Sequence, residues 1–183
     1  YEIALKLQPN YTEARRNLAT LFLRNGQTSE AIAQLEETKR IQPNDPTVHT
    51  SLGNALMKAG RGREAAVEFN QALQFTPDDV ATTNSLAWLL ATASDPTVRD
   101  GARAVQLAER ADEMTLHADP VILHTLAAAY AEVGRFDDAL VTARRGMKLA
   151  NQNGKTVVYD AFRDELPLYE LGLPYHQATV HPR

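Results

Sequence analysis

Apolar side chains recur at steps of three and four from Thr12 to about Asn25, and again from about Thr28 to Ile41. Such spacing predicts two amphipathic helices joined by a short polar break. The same pattern returns at a fixed step of 34 residues: Pro9, Pro43 and Pro77 obey it, each followed by Asn10, Asn44 or Asp78, and so do Leu18, Leu52 and Leu86. Ala19, Gly53 and Ala87 hold a column of small residues, Ala31 and Ala65 a second one, and Phe22, Leu56 and Leu90 a bulky one. That many aligned columns define an internal repeat whose unit is a helical hairpin. Gly26 and Gly60 stand where the first helix must end, since glycine enters the left-handed conformation at least cost. Pro43 and Pro77 close the second helix. The small columns, Ala19 with Ala31 and Gly53 with Ala65, predict that the paired helices approach closely.

Later units depart from the step. Ala65 to Ala104 spans 39 residues instead of 34, so five residues are inserted. They fall in the turn-forming segment 94–101, where Asp95 before Pro96 reads as a helix cap followed by a first-turn proline, in a longer hairpin turn or a projecting contact loop. The fourth unit resumes with Leu126, Ala127, Tyr130, Gly134 and Ala139, without a closing proline near Asn151. From Lys155 the apolar positions Val157, Val158, Ala161, Phe162, Leu166, Leu168, Tyr169 and Leu171 predict a helix that covers the last hairpin, with Pro167 kinking or restarting it. His176 to Arg183 carries no packing pattern and is expected to fray. The organisation read from the chain is a second helix of a truncated repeat at 1–11, repeats at 12–45, 46–79, 80–119 and 120–153, a capping helix at 154–174 and a tail at 175–183. Tyr1 aligns with Leu35, midway along a second helix, so the chain is expected to be cut from a longer one.

A unit carrying Leu, a small residue, an aromatic, Gly, Ala and a closing Pro in this order resembles the tetratricopeptide repeat family, over about residues 1–150. The resemblance implies an all-α fold, a right-handed α-solenoid of helix-turn-helix hairpins with a C-terminal capping helix. The stretches LAWLLAT, Asp-Pro-x-x-Arg-Asp-Gly and LPLYELGLPY look like the carboxy-terminal region of certain large bacterial tetratricopeptide proteins. Some of those carry a membrane-embedded glycosyltransferase-like domain ahead of the repeats.

Composition narrows the function further. Nineteen Lys and Arg against 23 Asp and Glu give a formal charge of −4, and neither half is markedly basic, so no nucleic-acid footprint is visible. With no cysteine, disulfides, thiolate zinc sites and thiol nucleophiles are excluded, and the compartment stays open between cytoplasmic and extracytoplasmic. The apolar stretch from Val121 to Val133 is broken by His124 and Thr125 and is shorter than the ~20 residues that span a bilayer, so this piece is expected to be soluble and to make no membrane contact itself. His49, His117, His124, His176 and His181 never fall three or four apart, and no phosphate loop or nucleophile motif is present. Asp112-Glu113 and Asp137-Asp138 read as solvated charges on outer faces or near helix starts. No catalytic residue, cofactor or metal is assigned, and the chain is not read as an enzyme.

Binding is the better question. With Leu18, Ala19 and Phe22 turned into the hairpin, Glu13, Arg16, Asn17, Thr20 and Arg24 run along the other face of the first helix. The same register gives Thr47, Thr50, Ser51, Asn54 and Lys58, then Ala81, Asn84, Ser85, Trp88 and Thr92, then Val121, His124, Thr125, Ala128 and Glu132. In tetratricopeptide proteins the first helices line the concave side, so the resemblance makes Arg16, Asn17, Thr20, Arg24, Asn54, Lys58, Asn84, Trp88 and His124 candidate groove residues. Asparagine amides pair with the backbone of an extended peptide whatever its sequence, and Trp88 adds an apolar anchor. The asparagines are faintly similar to those lining O-linked N-acetylglucosamine transferases, though they do not hold one column. The Lys, Asn and Arg clamp that binds chaperone tails in other members is not matched, because Ser51, Ala81 and Ser85 stand at its later positions. The expected function is a protein-interaction scaffold that binds an extended peptide or partner helix. The alternatives are a recognition or spacer arm of a larger enzyme, such as a membrane-linked glycosyltransferase, and a self-assembly module using the open amino-terminal half repeat.

Overall fold

The computed structural model describes residues 1–8 and 10–177, and among them every regular element is a helix. They are α1 (Glu2–Leu7), α2 (Thr12–Arg24), α3 (Thr28–Ile41), α4 (Pro46–Lys58), α5 (Gly62–Phe75), α6 (Val80–Thr92), α7 (Gly101–Met114), α8 (Pro120–Glu132), α9 (Phe136–Gln152) and α10 (Thr156–Glu170). The expectations for Pro9 and for the tail beyond Gln177 lie outside the described residues. The chain divides into two compact units, one over Tyr1–Thr82 and one from Thr83 onward.

In the first unit α2 pairs with α3 and α4 with α5, and α3 also packs on α4. Each hairpin turns on a left-handed glycine, Gly26 at φ 77° and Gly60 at φ 74°. There the Gln27 and Arg61 amides return to the carbonyls of Phe22 and Leu56 at 2.8 and 2.9 Å, satisfying groups that a helix end leaves open. Leu18, Ala19, Ala31, Leu35, Leu52, Leu56, Ala65 and Phe69 form the buried seam. The small residue at Gly53 admits the ring of Phe69, whose carbons lie 2.6 and 2.7 Å from where a Cβ would stand. A charged cluster ties α3, α4 and α5 together. Buried Glu68 meets His49 Nδ1 at 2.7 Å and Lys39 Nζ at 2.8 Å, and His49 Nε2 reaches the Pro43 carbonyl at 2.8 Å.

The second unit contains the rest of α6 and α7 to α10. Its core gathers Leu123, Ala127, Ala131, Ala139, Ala143, Phe162 and Tyr169, with α10 lying against α9 and α8. Without a closing proline α9 runs 17 residues, and the chain reverses on Gly154 at φ 66°. Pro167 stands inside α10, and the helix continues through it to Glu170 without a restart. Pro167 and Arg163, the residue whose carbonyl a proline at 167 leaves without its helical donor, are both exposed.

Two local expectations are corrected. Asp95 does not cap a helix; it closes a turn, accepting from the Thr97 amide and hydroxyl at 2.9 and 2.6 Å, and α7 is capped by Asp100 through the Arg103 amide. Segment 94–100 is pinned back by buried Val98 and by Arg99, which donates to Glu132 at 2.9 Å and to the Ala93 carbonyl at 2.7 Å. Asp112 is not a solvated charge: it is 6% exposed, with Oδ2 2.7 Å from His117 Nδ1. The chain leaves α7 through Leu116 and His117 at φ 51° and 59°, which folds the imidazole back over the last turn. That reversal buries the carboxylate.

Candidate functional site

The candidate groove residues separate into two groups. In the first unit, Arg16, Asn17 and Thr20 of α2 and Asn54 of α4 line one recess of about 310 Å³, joined by Thr47 and Ser51. Its floor is Ala19, Leu23 and Leu35. The helical register explains the convergence: α2 turns Leu18 and Ala19 into the hairpin, which leaves positions 16, 17 and 20 on the opposite face, and α4 repeats the arrangement 34 residues later. Asn17, Thr20 and Asn54 are all exposed. Arg16 stands 3.5 Å from Asp45, so its charge is partly balanced, and the Thr20 hydroxyl donates to the Arg16 carbonyl. The recess is therefore close to neutral, with accessible amide groups above an apolar floor.

Two candidates of this unit lie outside the recess. Arg24 ends α2 in solvent, and Lys58 donates to the Leu23 carbonyl at 2.7 Å, closing the end of α2. A second hollow, about 250 Å³, lies beside Pro46, Thr47, Thr50, Thr76, Asp79 and Ala81.

In the second unit Trp88 and His124 meet each other. Their rings stack with centroids 4.7 Å apart, and the edge of His124 also meets Phe162 at 5.1 Å. Behind them is a buried carboxylate: Glu165 of α10 bonds His124 Nε2 through Oε1 at 2.9 Å and accepts the Tyr169 hydroxyl on Oε2 at 2.8 Å. Burial, reinforced by the Glu165 charge, pushes the Tyr169 phenol well above its ordinary value, so it stays a donor. Asn84 has its amide oxygen buried and without a hydrogen-bond partner among the described residues.

The residues that sequence reasoning missed here are Glu165 and Tyr175. Glu165 falls between Phe162 and Tyr169 on the apolar stripe of α10, and a carboxylate in that position was the available signal. Tyr175 follows α10 and places its ring 5.9 Å from Trp88. Among the described residues no group of three or more His, Asp or Glu converges as a metal set, and no helix is long and apolar enough to cross a membrane.

Paired helices turning on left-handed glycines, with small residues at the seam, define a helical-hairpin repeat fold. Residues 1–55 match the family model described as tetratricopeptide repeat, and the fold of the chain is the one tetratricopeptide repeat proteins have. A thermophilic tetratricopeptide protein of Thermus thermophilus superimposes with a TM-score of 0.70 at 19% identity, covering 93% of this chain and 87% of that one. MamA from Desulfovibrio magneticus RS-1, residues 41 to the end, gives 0.65 at 18% identity over 87% of this chain and 93% of its own. The kinesin light chain-like repeats of Podosopora anserina give 0.71 at 19% identity, covering 90% and 87%. Identities this low establish the fold. No curated protein matches the sequence.

Proposed function

We propose that this chain is a non-catalytic protein-interaction module and that the recess between α2 and α4 takes an extended peptide. The observation that carries the reading is the convergence of Arg16, Asn17, Thr20, Asn54 and Ser51 around an apolar floor of Ala19, Leu23 and Leu35. An amide offers a donor and an acceptor to a peptide backbone, and the floor takes a small apolar side chain. In this reading the repeats occupy 12–45, 46–79, 80–119 and 120–153, with 154–174 as the cap. The test is affinity for a partner recovered by capture and crosslinking. Asn17→Ala and Asn54→Ala should each weaken it by about 1 kcal/mol or more with the melting temperature unchanged. A partner indifferent to both, yet lost when Asp95 to Gly101 is shortened, refutes the recess as the site.

The exposed apolar side chains of α1 and its start, Tyr1 at 56%, Ile3 at 75% and Leu7 at 78%, favour a second reading, self-association through that helix. Solution mass measured at two concentrations decides it. A mass that stays monomeric at the higher concentration excludes the reading.

A further inference from the structure

The strip expected to run along the first helices reaches Trp88 and Thr92 on α6 and Glu132 on α8, and in the second unit this surface is already occupied by the segment that follows α10. After α10 the chain reverses on Gly172 at φ 69°, with the Leu173 amide returning to the Leu168 carbonyl at 2.9 Å. Residues 173–177 then run on without regular secondary structure. Three consecutive residues are held. The Tyr175 ring lies against Trp88, His176 Nε2 stands 2.6 Å from Glu132 Oε2, and Gln177 donates its backbone N–H to the Thr92 carbonyl at 2.7 Å and its amide Nε2 to the Thr92 hydroxyl at 3.1 Å.

These contacts have the chemistry of peptide recognition. Thr92 is the last residue of α6, so its carbonyl belongs to the group that a helix end leaves without an internal partner. A passing backbone N–H satisfies it regardless of sequence. Selectivity comes from the two neighbours: an aromatic ring is matched to Trp88, and an imidazole or cationic group to the Glu132 carboxylate. Glu132 is also held by Arg99 at 2.9 Å, so it stays in place when His176 leaves.

From this geometry we infer that the Trp88, Thr92 and Glu132 surface is a binding site for an extended peptide carrying an aromatic residue followed by an imidazole or cationic one, and that residues 175–177 are its resident competitor. The inference rests on the reading that first helices carry the binding surface, applied to the second unit. A tethered segment this close acts at an effective concentration in the millimolar range, so a peptide in trans must displace it. Apparent affinity is lowered in proportion to the fraction of time the seat is open.

Trp88 is the chain's single tryptophan, which makes its emission a direct reporter of the seat. The experiment uses the full chain and a synthetic peptide spanning Glu170 to Gln177. In the Tyr175→Ala/His176→Ala variant, Trp88 emission should shift to the red and become more open to acrylamide. The peptide should then bind this variant at least ten-fold more tightly than the unaltered chain, and a peptide with alanine in place of the tyrosine should not. Gln177→Pro, which removes the backbone donor while leaving His124 and Glu165 untouched, should open the seat in the same direction and serves if the double variant loses its far-ultraviolet helix signal. Unchanged Trp88 quenching in the folded variants, or equal peptide affinity with and without the substitutions, overturns the inference. Because the ligand is the chain's own sequence, that failure is separate from the outcome at Asn17 and Asn54 in the first unit.

Discussion

Gly146 in α9 faces the ring of Phe162 from α10, and a Cβ placed there would stand 2.2, 2.7 and 3.0 Å from three of its carbons. Gly146→Ala therefore opposes two effects. Replacing a mid-helix glycine by alanine favours the helix by about 1 kcal/mol. Overpacking a closed core costs about 1–3 kcal/mol, and the upper end applies because Phe162 is 0% exposed and its ring is also met by His124 at 5.1 Å, leaving no open side to turn toward. The net expectation is a loss of about 2 kcal/mol, which with a urea slope of about 2 kcal/mol per molar lowers the midpoint by about 1 M. Phe162→Leu frees the space, so the double variant should be less destabilised than the sum of the two singles by more than about 1 kcal/mol. Urea unfolding followed by circular dichroism measures all four proteins. A Gly146→Ala protein as stable as the original, with coupling below about 0.5 kcal/mol, would refute the claim that this glycine exists to admit the ring.

Ala65 is fully buried and Ala66 only partly, so Ala65→Leu should cost about 1–3 kcal/mol in chemical denaturation and Ala66→Leu much less; equal losses would mean that the hairpin register is misassigned. Removing the acceptor of the buried cluster, Glu68→Ala, should destabilise by about 2–3 kcal/mol because His49 loses its carboxylate partner in the interior, whereas Lys39→Met, at a side chain 36% exposed, should cost under about 1 kcal/mol; similar values for the two in urea unfolding would contradict this account.

Local chemistry made the hairpins legible. Apolar spacing, the left-handed stops at Gly26 and Gly60 and the small column through Gly53 are properties of short stretches, and a helix turns its side chains outward at a fixed angle per residue. That periodicity also put Arg16, Asn17, Thr20 and Asn54 on the face that lines one recess. What only the tertiary structure decided depends on segments distant in the chain. Asp95 and Asp100 are equally plausible caps by residue type, and the choice fell to Asp100 because Val98 and Arg99 tie the preceding turn to the body of the unit. Glu165 interrupts the apolar stripe of α10, and its role emerges when His124, 41 residues earlier, comes within 2.9 Å. Gln177 and Thr92 are separated by 85 residues, and nothing in the periodicity of either end signals that they meet. The end expected to fray is seated at His176 and Gln177, since a helix end offers its open carbonyl and Trp88 its ring to whatever backbone the fold carries past them.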